Sequence, residues 1–237
     1  MVALCVAFSA TAFAKVDKRK KVHSIYWKAR LKTDVSFQDD YEEIELEKGD
    51  EVLVVSRPNT GTPCLCEVDG TRFRIAYKSL EFITDACTIG DGDYSVAVKE
   101  DFVNERYHLT SKTNYLIWTS LDKQRVNVFK GSGKGGDWEL IRVIKCSSGM
   151  ATHPTRVHFN MEVDFKERVY RYSNSVINTV TEYYVEFSGS GFHKWVGGGY
   201  SKNIGRHPAS HSCIRLPTTD AIWMFNTIPL HTRVVNY

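Results

Sequence analysis

The stretch whose reading decides the fold is Gly191–Pro217, GFHKWVGGGYSKNIGRHPASHSCIRLP. It holds three of the eight histidines and one of the six cysteines. Cys213 follows His211 and Ser212, and His193 lies twenty residues earlier with four glycines between. A free thiol titrates at about 8.5, so at neutral pH it needs a base to become a nucleophile. A histidine distant in sequence, returned by the fold, is the usual supplier. His193, His207, His211 and Cys213 are also zinc-competent types, and His207 and His211 have i, i+4 spacing. Pro208 and the neighbouring glycines argue against a helix through both, and a zinc-bound thiolate is lost as a nucleophile. The pattern favours cysteine chemistry over a metal site.

His193, a sixteen-residue spacer and Ser210-His211-Ser212-Cys213-Ile214-Arg215-Leu216 resemble the active-site signature of the L,D-transpeptidase (YkuD-like) domain. Leu116 to Trp118 and Asp122 to Phe129 are similar to that family's opening strands, and Ile228 to Val235 to its last. The resemblance covers residues 113–237 and implies a mostly β sandwich. It implies Cys213 as nucleophile and His193 as base, oriented by the Lys194 carbonyl, with His211 shaping the site. The backbone N–H groups of Ser212 and Cys213 are the implied oxyanion donors. Arg215 either engages a substrate carboxylate or buttresses the loop, and Ser210 bonds the loop backbone. Tyr183 and Tyr184 precede the site; one walls the cleft, with Tyr184 taken as the substrate contact, or both are core. A histidine so placed should give Cys213 appreciable thiolate at neutral pH, and carbapenems should acylate it.

Two departures stand out. The family's glycine before the nucleophile is Ser212 here, which costs about 1–2 kcal/mol if the position requires a positive φ. His153-Pro154-Thr155-Arg156 replaces the family's Thr-Pro-x-Gly in a loop expected at the cleft. The implied activity is that of an exported peptidoglycan L,D-transpeptidase, joining donor and acceptor stem peptides through a cysteine thioester, without a cofactor. An L,D-carboxypeptidase or other amide hydrolase shares the thioester and is the alternative enzyme. A catalytically impaired wall-binding protein is the non-enzyme alternative.

The rest of the 237-residue chain fits that setting. A net charge of +3, dispersed along the sequence, gives no argument for nucleic acid. Residues 1–14 are apolar and end Ala12-Phe13-Ala14, as a secretory signal does. They are too short to span a bilayer as a helix. The location implied is the cell wall, periplasm or extracellular space, with no stable transmembrane segment after cleavage. A basic linker, 15–21, follows. Residues 22–86 read as closely spaced strands in a self-contained small barrel resembling bacterial SH3-like domains, a candidate wall-docking module. Residues 87–112 connect the two parts. The mature chain keeps Cys64, Cys66, Cys87, Cys146 and Cys213. One free thiol and up to two bridges fit that count, as do buried reduced thiols. Gly131 to Gly136 reads as a hairpin tip, and Asp220 to Asn226 as a helix with N-cap oxygens from Thr218, Thr219 or Asp220.

Overall fold

The computed structural model describes residues 22, 27–38, 43–54, 63–68, 71–83, 92–150, 153–173, 178–195 and 202–237. The leader 1–14, the linker 15–21, Cys5 and Cys87 lie outside the described residues. Seven short strands come first: β1 (Trp27–Leu31), β2 (Val35–Gln38), β3 (Glu43–Leu46), β4 (Glu51–Val54), β5 (Cys64–Val68), β6 (Thr71–Ile75) and β7 (Leu80–Phe82). Five of them form a sheet in the order β6-β5-β4-β1-β7, and β2 pairs with β3 as a separate hairpin. Alternation sends Val52, Val54, Cys64 and Cys66 to one core with Ala29, Leu31, Ile75 and Leu80. Phe37 of the hairpin stacks on Phe73 of the sheet at 4.2 Å.

This core is not self-contained, contrary to the sequence reading. Leu121 is fully buried within it, and Val157 packs against it. The two parts therefore share apolar surface, a long-range pairing that no local pattern announces.

The connector holds α1 (Val96–Asp101), whose Ser95 side chain accepts from the Val98 N–H. The chain continues in a wider helical turn, where Phe102 stacks on Trp118 at 4.1 Å. Lys99 is only 2% exposed and meets Asp93 at 2.5 Å. The pair pins its segment, because losing Asp93 would strand the buried Lys99 charge.

From residue 115 the chain is strand after strand: β8 (Tyr115–Ser120), β9 (Arg125–Lys130), β10 (Glu139–Lys145), β11 (His158–Ser173), β12 (Asn178–Phe187), β13 (Ser190–Trp195) and β14 (Ile214–Leu216). Helix α2 (Thr218–Thr227) and β15 (Arg233–Asn236) complete it. The eight strands order as β10-β9-β8-β15-β11-β12-β13-β14. The sixteen-residue β11 belongs to both halves, pairing first with β15 and then with β12. Ile117, Val128, Val163, Val185, Phe192, Ile214, Met224 and Val234 meet in one core. The glycine-rich stretch is the tip between β9 and β10, as its composition implies.

One expectation is corrected, and one open alternative is decided in favour of buried reduced thiols. Helix α2 starts on Pro217 with no side-chain cap, and Asp220 instead binds Arg142 at 2.7 Å. Cys66 and Cys146 are unbridged buried thiols, so Cys146 takes part in no disulfide. Burial pushes the Cys66 thiol up to about 12, as expected of a thiol acting as a small hydrophobe.

Candidate active site

Strands β13 and β14 run parallel, with Phe192 opposite Ile214, His193 opposite Arg215 and Lys194 opposite Leu216. Parallel neighbours need a crossover, here the loop between residues 195 and 214. Its described part leans on residues 146–150: Gly205 N–H donates to the Cys146 carbonyl at 2.7 Å and Ser210 N–H to that of Ser148 at 3.0 Å. Register then fixes the faces. Phe192, Ile214 and Leu216 enter the core, while His193 and Arg215 face the other way. Cys213, two residues before Arg215, lies on their side.

These residues line a cavity of about 310 Å³. The structure brings together Cys213, His193, His211, Ser210, Ser212, Arg215 and Tyr184 there. Lys194 enters only through its main chain, which hydrogen-bonds the His193 ring; its side chain pairs with Glu182 at 2.6 Å. The long β11–β12 hairpin supplies a wall that sequence reading missed: Tyr170, Tyr172, Thr179, Thr181 and Glu186. The Thr181 hydroxyl is buried on this wall and meets no hydrogen-bond partner among the described residues. Only the strand pairing Tyr170–Thr181 and Tyr172–Thr179 reveals that wall, and pairing is not local information.

One tyrosine of the Tyr183–Tyr184 pair faces the cavity, and a bulge decides which. Tyr183 has φ +54°, and the β12–β13 register slips between Glu182 and Val185. Simple alternation would place Tyr183 beside Thr181. Instead Tyr183 packs edge-on against Phe225 of the core side, and Tyr184 lines the cavity.

The loop carrying the thiol is held tightly. Thr155 Oγ1 donates to the Ser212 carbonyl at 2.6 Å, and Ser210 Oγ donates to the Cys213 carbonyl. Ser212 Oγ lies 3.1 Å from Ser190 Oγ. The rings of His153 and His211 stand 4.7 Å apart, so the substituted 153–156 loop does border the site. Ser212 adopts φ +94°, the conformation where the family pattern has glycine. A serine there stores about 1–2 kcal/mol.

The electrostatics differ from the expected thiolate. Burial raises the Cys213 thiol above its ordinary range, opposed by the Gly191 N–H and the Arg215 charge; Glu186 adds to the rise and a Tyr184 hydrogen bond opposes it. Burial likewise drives His193, 2% exposed, down to about 4, with the Lys194 main chain opposing and Arg215 assisting. At neutral pH the Cys213 thiol and the His193 imidazole that line this cavity are therefore both neutral at rest, not thiolate and imidazolium. His211 is lowered too, by burial and by the His153 and Arg215 charges. A buried neutral base that shares a cavity with a thiol can take its proton during attack on an acyl carbon.

A family model for the L,D-transpeptidase catalytic domain, YkuD, matches residues 114–235, a little over half of the chain. The chain belongs to that family. This L,D-transpeptidase is similar in structure to an L,D-transpeptidase from Mycobacterium smegmatis, at 13% identity and TM-score 0.46, covering 95% of this chain and 88% of that one. It is also similar to a fused Zn-dependent amidase/peptidase/peptidoglycan-binding domain-containing protein from Clostridium acetobutylicum, at 26% identity and TM-score 0.48, covering 66% and 70%. An L,D-transpeptidase from Stackebrandtia nassauensis shows 19% identity and TM-score 0.43, covering 60% and 64%. No curated protein matches the transpeptidase.

The strain at Ser212 is measurable. Ser212→Gly relieves the backbone and loses the Ser190 hydrogen bond, whereas Ser212→Ala loses the bond and keeps the strain. The glycine variant should exceed the alanine variant by about 1 kcal/mol in urea unfolding, after the glycine's extra unfolded-state entropy is counted. Alanine equal to or above glycine would show that the positive φ is not strained.

Proposed function

We propose that this L,D-transpeptidase works through a Cys213 thioester, with His193 as its base. The observation that carries the reading is the placement of His193 and Cys213 on one face of a parallel strand pair, around one cavity. Cys213 attacks the carbonyl of the donor stem's L-centre that is joined to the terminal D-residue. The thiol proton passes to the His193 nitrogen not held by Lys194, and from there to the leaving amine. The acceptor stem's amine then attacks the thioester, forming the new amide bond and returning the thiol. The N–H groups of Ser212 and Cys213 are the oxyanion donors in this reading. The Thr155 hydroxyl, by engaging the Ser212 carbonyl, fixes the peptide plane that carries the Cys213 N–H. Arg215 offers a charge for a substrate carboxylate, and Tyr172, Thr179 and Thr181 line the same cavity.

Because attack begins from a neutral pair, the reaction should keep its base at mildly acidic pH. The His193 imidazole is neutral above about 4. The pH profile of the second-order acylation rate with a carbapenem should therefore hold through pH 6 and fall only toward pH 4. An acid limb near 6.5 would show a solvated histidine as base. Peptide mass spectrometry should find one adduct, on Cys213, absent in Cys213→Ala. His193→Ala should slow it about 10²–10⁴-fold, with His211→Ala milder. The reverse ranking in folded variants would exchange the two histidines.

The location follows from the substrate: peptidoglycan lies outside the cytoplasm, and the leader at 1–14 is the expected route. No described helix is long and apolar enough to cross a membrane. Residues 22–86 are read as the SH3-like docking domain, 87–112 as connector and 113–237 as catalytic domain. What supports docking is a groove between the β2–β3 hairpin and the edge strand β6, lined by Phe37, Arg72 and Arg74. Arg74 offers a cation for a stem-peptide carboxylate, while Arg72 is paired with Glu67 at 2.8 Å. Arg74→Glu in the full chain should weaken binding to isolated sacculi several-fold without changing Cys213 acylation. Unchanged binding would remove the docking role.

A further inference from the structure

Tyr184 occupies a place that a cleft-wall residue does not need. Its side chain is 4% exposed and stacks on Tyr170 at 4.3 Å with the rings 8° from parallel. On the other side it presses on Gly191, where an added Cβ would stand 2.3 Å from a ring carbon. That contact, not a turn, explains the glycine. The ring centre is 6.2 Å from that of His193. Tyr184 and Cys213 line the same cavity, and a hydrogen bond from the phenol opposes the rise of the Cys213 thiol. The ring is thus held by Tyr170 and Gly191 in the cavity that contains the sulfur.

We propose that the Tyr184 hydroxyl is a third catalytic group, which aims the Cys213 sulfur and stabilises the negative charge the sulfur acquires as its proton leaves. This rests on Cys213 being the nucleophile. A phenol held above its ordinary range by burial stays protonated and remains a donor. A hydrogen bond to a charged acceptor is roughly twice as strong as one to a neutral acceptor, so the bond tightens as charge builds. It matters here because burial disfavours both the thiolate and the imidazolium. No bond to Tyr184 breaks: its proton stays on oxygen throughout, and the thiol proton goes to His193.

Tyr184→Phe keeps the stack and the Gly191 contact and removes only the donor. The remaining groups around the sulfur (His193, Arg215, Glu186, Tyr170 and His211) are unchanged. Carbapenem acylation should slow about tenfold. The pH profile of Cys213 alkylation by iodoacetamide should move up by about one unit, since this bond lowers the thiol's titration. Site-specific 3-fluorotyrosine at position 184, a stronger donor of nearly the same shape, should move it down. Alkylation reads the thiol whether or not the protein crosslinks peptides, so this test stands apart from the activity itself. A wild-type profile in folded Tyr184→Phe, or equal shifts in one direction for both changes, would overturn the proposal.

Discussion

The parallel pairing of β13 with β14 is the constraint on which the site depends. Two strands that run the same way cannot be joined by a tight turn, so a long crossover must return the chain to the sheet. That crossover carries Ser210, His211 and Ser212, and it ends at Cys213. The three register pairs then place His193 beside Arg215 and leave Cys213 two residues upstream on the same face. A slip of one residue would turn His193 into the core and Phe192 into the cavity. The apolar neighbours Phe192, Ile214 and Leu216, all fully buried, oppose that slip. Core packing thus keeps the chemistry in register.

The same burial that fixes the register sets the proton inventory. It disfavours charge on both the thiol and the imidazole, so the resting enzyme carries neither. In the proposed mechanism charge appears only while the Cys213 sulfur attacks, which makes donors aimed at sulfur and oxyanion more valuable than a standing thiolate. Gly191 and Tyr184 act on the sulfur from β13 and β12, and Arg215 acts from β14. Ser212 accepts an unfavourable backbone conformation to keep the loop's peptide planes fixed, and Thr155, Ser190 and Ser210 hold it there. The 153–156 loop, which departs from the family pattern, contributes to that grip through Thr155.

Much of this was legible in the chain itself. The Cys213–His193 pattern named the family and its fold, and Ser212 announced its positive φ by standing where glycine is expected. The closely spaced strands of residues 22–86 and the helix over Asp220 to Asn226 were also readable from local pattern. What stayed hidden was non-local. The bulge at Tyr183 reverses the alternation that would choose the wrong tyrosine. The thiol's protonation depends on burial, which a motif does not report. Pro217 displaced the expected cap because Asp220 is drawn to Arg142, distant in sequence. Leu121 joins the N-terminal core through contacts that neither segment's pattern contains.

The site passes an acyl group from one stem peptide to the amine of another. The most direct measurement incubates the full chain with a purified tetrapeptide donor in H₂¹⁸O, with and without an amine-bearing acceptor stem, and resolves the products by mass. Acyl transfer to an amine requires release of the terminal D-residue together with a donor–acceptor amide that contains no ¹⁸O at the new bond and is absent without acceptor. Release of the D-residue with ¹⁸O entering the donor carboxylate, and no amide product even at saturating acceptor, would contradict it.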